Sequence, residues 1–239
     1  MKVVALCAGK GTRLGVSDIN KSMILLQNRP LLEYSLNNLS EIDEVDEFII
    51  VIGFAGEQIK NHFQQNYRGR KITYITQTTL NGIVGAIELT REAIKDDDFI
   101  VWLGDEYMHT PDLKGFVSKF RAQQYYCLLG AVKEERIDLI KKTYSLSFDH
   151  ENHIEQLIEK PQNPVNNYRG TGCVLFRNEI FQYINDIPNN NIRNERDYVD
   201  LIQAPIHDNK VVAWYEITDK YINVNDQEDL EFLFSTWNK

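Results

Sequence analysis

The chain opens on an unbroken apolar run, Lys2-Val3-Val4-Ala5-Leu6, and then turns abruptly to glycines and charges. A short apolar run of this kind reads as a strand buried on both faces. Comparable runs recur at Phe48–Ile52, Thr73–Thr76 and Phe99–Leu103. Between them the apolar residues fall at helical spacing. Pro30 opens one helix, with Leu31, Leu32, Leu36 and Leu39 on its inner side. Further helices are predicted over Ala55–Phe63 and Ile83–Ile94. This β-α-β-α order implies a mostly parallel sheet with helices on both faces. From Leu128 the rhythm changes. Strands are predicted at Leu128–Val132, Tyr144–Phe148, Ile154–Glu159, Gly172–Phe176 and Val211–Tyr215. Helices are predicted at Asn178–Ile184, Tyr198–His207 and Gln227–Trp237, with an exposed loop over Asn185–Asn194. No repeat, linker or low-complexity tract divides the chain. The expectation is one domain over residues 1–239, with a nucleotide-binding half over about 1–125 and an acceptor half over about 126–239.

Composition narrows the field. A length of 239 residues can bury a full core, and 43% hydrophobic with 26% charged residues is ordinary for a globular protein. The net charge of −9 speaks against nucleic acid and anionic membranes as partners, but not against a small anion held by local charges. Cys7, Cys127 and Cys173 are far apart and odd in number, so buried free thiols in a reducing, cytoplasmic setting are expected. No run approaches the ~20 apolar residues of a membrane span.

The chemistry concentrates after the first strand, in Leu6-Cys7-Ala8-Gly9-Lys10-Gly11-Thr12-Arg13-Leu14, with Lys21 seven residues on. The C-terminal ends of strands are where open α/β sheets bind ligands. Glycines let backbone N–H groups approach phosphate oxygens, and Arg13 and Lys21 supply countercharge. The loop is neither a dinucleotide fingerprint, since Leu14 stands where a third Gly or Ala is needed, nor a P-loop, since Gly-Lys-Ser/Thr is absent. A bare strand-to-helix turn would account for the glycines but not for the cations.

Leu-x-Ala-Gly-x-Gly-Thr-Arg-Leu, then Lys21, then Arg29-Pro30-Leu31-Leu32-Glu33-Tyr34, resembles the signature of the sugar-phosphate nucleotidyltransferases, and most of all their short glucose-1-phosphate thymidylyltransferases. The resemblance implies a Rossmann-like, GT-A-like α/β domain with a mostly parallel, mixed central sheet. It implies that Leu6, Ala8, Gly9, Gly11, Thr12, Arg13 and Lys21 wrap a nucleoside triphosphate, and that Gln77, Asn81 and Gly82 read its base. Asp105, ending Leu103-Gly104-Asp105, would hold Mg²⁺; one or two protein oxygens suffice for that ion. Arg13, Lys21 and Asp105 would be the catalytic residues. Glu159, Lys160, Gly172 and Arg193 would bind the sugar phosphate, with Arg196 competing for the last place. Tyr107, two residues beyond Asp105, removes the Asp-x-Asp of glycosyltransferases with a related fold.

Three departures stand out. Asn223 occupies the place of the family's second metal-binding Asp; its carbonyl is still a competent Mg²⁺ ligand. A Pro is missing around Gly15-Val16-Ser17, and Asn20 replaces Pro before Lys21. The resemblance implies transfer from dTTP to glucose 1-phosphate with release of pyrophosphate. The alternatives are a cytidylyl-, uridylyl- or guanylyltransferase acting on another sugar phosphate or phosphorylated alcohol, and a non-catalytic homologue that binds nucleotide sugars. Partners would be the two substrates, with no nucleic acid and no membrane, and with a homodimer left open.

Overall fold

The computed structural model describes residues 1–11, 14, 18–190 and 194–237. In chain order its main elements are β1 (Lys2–Cys7), α1 (Leu31–Leu39), β2 (Glu47–Ile52), α2 (Gly56–Phe63), β3 (Arg70–Thr76), α3 (Gly82–Glu88), β4 (Phe99–Leu103), β5 (Glu106–Met108) and α4 (Leu113–Gln123). They continue as β6 (Cys127–Lys133), β7 (Tyr144–Phe148), β8 (Ile154–Glu159), β9 (Tyr168–Phe176), α5 (Tyr198–Gln203), β10 (Val212–Glu216), β11 (Tyr221–Asn223) and α6 (Gln227–Trp237).

A ten-stranded sheet forms the centre. β1 lies parallel between β2 and β4, and β3 continues the parallel part beyond β2. On the other side β9 runs antiparallel to β4 and β6, and β7 antiparallel to β8 and β9. β10 then pairs parallel with β6. The sheet is thus mixed: the parallel pattern read from the N-terminal half stops at β4. Alternate residues of β1 enter opposite layers. Val3, Ala5 and Cys7 join one apolar cluster with α1, α2 and α4, while Val4 joins a second with α3 and α5. Helices therefore cover both faces, as an α/β sheet requires. A third cluster packs α6 through Leu233 against Tyr107, Ile222, Leu14 and Leu31.

Local chemistry explains where element boundaries depart from expectation. The helix expected over 83–94 is two pieces, α3 and a short turn at Arg91–Ile94. Between them Thr90 is fully buried, and its hydroxyl donates to the Ile87 carbonyl at 2.6 Å, which ends the first piece. The helix expected over 198–207 turns into 3₁₀ geometry at Ala204, beside Pro205, which has no N–H to continue the ladder. Residues 178–186 are 3₁₀ throughout, with Ile180/Tyr183 and Phe181/Ile184 buried at a spacing of three. The loop expected over 185–194 contains a two-residue ladder from Asn189–Asn190 to Glu195–Arg196. Helix α4 was not anticipated; its inner face is Leu113, Phe116, Val117 and Phe120. All three cysteines are buried and free. Among the described residues no helix is long and apolar enough to cross a membrane.

Candidate active site

β1 and β4 end side by side, and the Gly104 N–H donates to the Leu6 carbonyl at 3.0 Å. Over these ends lies a cleft of about 250 Å³ lined by Leu6, Gly9, Lys10, Gly11, Lys21, Gly104 and Asp105. Lys21 and Asp105 meet across it as an ion pair, their side chains 14% and 21% exposed. Gly11 has φ +58°, a backbone state that suits glycine, and a Cβ there would lie in van der Waals contact range of the Lys21 side chain. Cys7 is also at this cleft; burial pushes its thiol up to about 12, so it is an inert neighbour.

Asn20 holds the Lys21 segment in place. It is 1% exposed, and its Nδ2 donates to the carbonyls of Cys7 (2.8 Å) and Phe54 (2.7 Å). Its Oδ1 accepts from the Ser22 N–H and hydroxyl. The departure at this position thus carries four hydrogen bonds.

A second cleft of about 480 Å³ adjoins the first, sharing Asn225 with it. Its walls include Lys142, Tyr144, Glu159, Lys160, Gly172, Arg196 and Tyr198. β9 loses register with β6 between Gly170 and Val174, which frees the Gly172 N–H from the ladder. That N–H donates to Glu106 Oε1 at 2.8 Å, and the Tyr221 hydroxyl donates to the same oxygen at 2.5 Å. Burial raises the Glu106 carboxyl to about 8; the Tyr221 hydroxyl lowers it and the Asp105 charge raises it. Tyr221 is braced in turn by the Arg169 guanidinium, 4.7 Å from its ring centroid, and Arg169 pairs with Glu134 at 3.0 Å. Lys160 has φ +45°, with its N–H on the Thr143 carbonyl at 2.7 Å and its ammonium 3.5 Å from Glu159. Lys142 reaches both Asp226 and Asp229 at 3.3 Å, tying the start of β7 to the start of α6.

The anticipated residues divide into three groups. Leu6, Gly9, Gly11, Lys21 and Asp105 gather at the first cleft, and Glu159, Lys160 and Gly172 at the second. Gln77, Asn81 and Gly82 line neither. The Gln77 amide donates to Asn81 Oδ1 (3.0 Å) and the Gly82 carbonyl (3.2 Å), and their neighbour Ile83 reaches the second cleft. Ala8 is buried against Gly53. Thr12, Arg13 and Arg193 lie outside the described residues. Arg196, the competitor of Arg193, lines the second cleft but pairs with Glu88 and donates to the Ile184 carbonyl at 3.0 Å.

β11 pairs antiparallel with β5, setting Asn223 opposite Glu106, and the Val224 N–H bonds to the Asp105 carbonyl at 3.0 Å. Asn223 Oδ1 is buried with no hydrogen-bond partner among the described residues. An orphaned carbonyl oxygen near a carboxylate is a donor set that suits a hard divalent cation. Asn225 lines the same cleft as Asp105. Elsewhere, Asp149, Glu151 and His153 bring ligand atoms within 4.8 Å of one another and could chelate a divalent metal. They sit in the β7–β8 turn and line neither of the two clefts.

Sequence reading gave no site role to Glu106, Lys142, Tyr221 or Asn225, and marked Asn20 only as a departure. A signal for Glu106 existed: in an extended segment it shares a face with Met108, an apolar residue.

Residues 2–236 match the family described as Nucleotidyl transferase. The UTP–glucose-1-phosphate uridylyltransferase AglF of Haloferax volcanii is 28% identical over 96% of this chain and 93% of its own length. The bifunctional protein GlmU of Methanocaldococcus jannaschii is 31% identical over 88% of this chain, which spans 48% of that relative. Among solved structures, a UDP-glucose pyrophosphorylase complexed with UDP-glucose superposes with a TM-score of 0.87 at 20% identity, covering 99% of this chain and 97% of the other. The UTP-bound enzyme from Acinetobacter baumannii gives 0.83 at 18% identity, over 99% and 95%. These structures share the fold. The match along nearly the whole chain, with the glycine loop and Asp105 after adjacent parallel strands and Lys21 paired to Asp105, places it: the chain belongs to the Nucleotidyl transferase family, and that membership supports nucleotidyl transfer from a nucleoside triphosphate to a sugar 1-phosphate.

Proposed function

We propose that this protein binds a nucleoside triphosphate over the ends of β1 and β4, and a sugar 1-phosphate in the adjoining cleft. It joins them with release of pyrophosphate. The observation that carries the reading is the Lys21–Asp105 pair across the first cleft, which meets the second at Asn225. UTP is the proposed donor, in preference to the dTTP that the sequence resemblance implied. Its support is the full-length similarity to a uridylyltransferase. Glucose 1-phosphate is the first acceptor to test.

The acceptor phosphate is already ionised near neutral pH, so no general base is needed. The obstacle is repulsion between two polyanions. At ~4 Å and an effective dielectric of ~20, each unit-charge pair is worth about 4 kcal/mol. Lys21 and Arg13 offset this on the nucleotide side. Lys160 and Arg193 do so on the acceptor side. Asp105, with the Asn223 or Asn225 carbonyl, would hold Mg²⁺, which when bound neutralises phosphate charge. The glycine loop and the Gly172 backbone position the two substrates for in-line attack at the α-phosphorus, so catalysis is positioning and electrostatics.

A matrix of five nucleoside triphosphates against a panel of sugar 1-phosphates, with Mg²⁺ and a pyrophosphate readout, tests this. UTP with a hexose 1-phosphate should give the highest kcat/KM. A preference for dTTP would return the reading to a thymidylyltransferase, and silence across the matrix would favour a non-catalytic nucleotide-sugar binder.

A further inference from the structure

We propose that Glu106 recognises the acceptor, its Oε2 taking a hydrogen bond from one hydroxyl of the sugar phosphate. The inference rests on the nucleotidyl-transfer reading above. Glu106 lines the second cleft while only 1% exposed. Oε1 is held twice, by the Gly172 N–H and the Tyr221 hydroxyl, so the carboxyl cannot swing away. Oε2 is buried and has no partner among the described residues. Buried polar atoms are almost always satisfied, and one left over at a cleft wall points to a partner supplied by the ligand.

The chemistry of that partner follows. A phosphate there would meet the nearby Asp105 charge and be repelled. An apolar group would leave Oε2 unsatisfied. A hydroxyl fits, because Oε2 keeps a lone pair whether or not the carboxyl is protonated. Glu106 would thus discriminate among acceptors by the presence and position of one hydroxyl, as sites built around a buried polar group do.

Glu106→Gln is the discriminating variant. It keeps the Oε1 acceptor for Gly172 and Tyr221 and replaces only Oε2 with an N–H₂ donor. The probe is glucose 1-phosphate, or whichever sugar 1-phosphate the wild type turns over fastest, with its single-deoxy analogues. The acceptor KM should rise about tenfold or more, while the nucleotide KM stays within about twofold. One deoxy analogue should lose a similar factor on the wild type and nothing further on Glu106→Gln, whereas Tyr221→Phe should still discriminate against it. An unchanged acceptor KM, or equal analogue losses on both proteins, overturns the inference. If Glu106→Gln does not fold, a wild-type crystal with bound acceptor decides. A hydroxyl within about 3.2 Å of Oε2 supports the inference, and none within hydrogen-bond reach overturns it. A wild type that releases no pyrophosphate with any pair sinks the reaction reading, and this inference with it. An active wild type with an indifferent Glu106→Gln sinks this inference alone.

Discussion

Asn20 donates from its side-chain amide to the carbonyl oxygen of Cys7 at 2.8 Å, joining the segment before Lys21 to the last residue of β1. The same amide reaches Phe54 after β2, and Asn20 Oδ1 caps the turn over Lys21–Met23. One buried side chain thereby holds the backbone from which Lys21 reaches Asp105.

Asn20→Ala should therefore act on both stability and rate. Net contributions of roughly 0.5–1.5 kcal/mol per bond, with two carbonyls left short of a donor, put the loss at about 2–4 kcal/mol. Urea titration would show it. The kcat should fall further than stability alone accounts for, because Lys21 loses its anchor. Asn20→Pro suits the φ of −63°, but it restores none of the side-chain bonds and removes the N–H that donates to Gln58 Oε1 at 2.9 Å. It should be as slow as Asn20→Ala.

Lys21→Met and Asp105→Asn should each lower kcat by orders of magnitude while the circular dichroism spectrum is retained, and Arg13→Ala should do the same. Near-normal pyrophosphate release by any one of them would remove that residue from the proposed machinery.

Glu106 makes stability depend on pH in a definite direction. Its ordinary value of 4.5 is raised to about 8 in the fold. Between those values the folded chain holds a proton that the unfolded chain has released, so stability falls as pH rises through that window. The slope is at most about 1.4 kcal/mol per pH unit. Glu106→Gln, which has no proton to release in this range, should lack this component. In metal-free buffer the wild type should lose stability relative to the variant from about pH 5 to 8. Parallel denaturation midpoints across that range would refute the assignment.

Gly172→Ala would drive a methyl group into Leu103 and press on Glu106 Oε1, 3.0 Å from the added carbon. Overpacking of this kind costs about 1–3 kcal/mol. The acceptor KM should rise well above the nucleotide KM, because the disturbed backbone lies in the acceptor cleft. Equal effects on both would place Gly172 outside acceptor binding.

Much of this architecture was legible along the chain. Apolar runs such as Val3–Leu6 and Phe99–Leu103 suit the middle of a sheet covered on both faces, and each is buried there up to its last residue, where Leu6 and Leu103 line the clefts. The glycine loop and Asp105 were readable because a ligand site at strand ends depends on residues adjacent in sequence. Helix α4 was missed, although its apolar residues fall at helical spacing, because Lys114, Lys119 and Arg121 dilute the pattern.

What remained hidden depends on contacts between distant residues. Glu106 meets Tyr221 across 115 positions and Gly172 across 66, and Asn20 meets Phe54 across 34. Strand periodicity could place each of these residues on a strand or in a turn, since period and polarity are local properties. Which carboxyl oxygen would be satisfied and which left over, and whether an Asn could do the work of a Pro, were decided only when the chain closed on itself. Burial and hydrogen-bond satisfaction are properties of the packed whole.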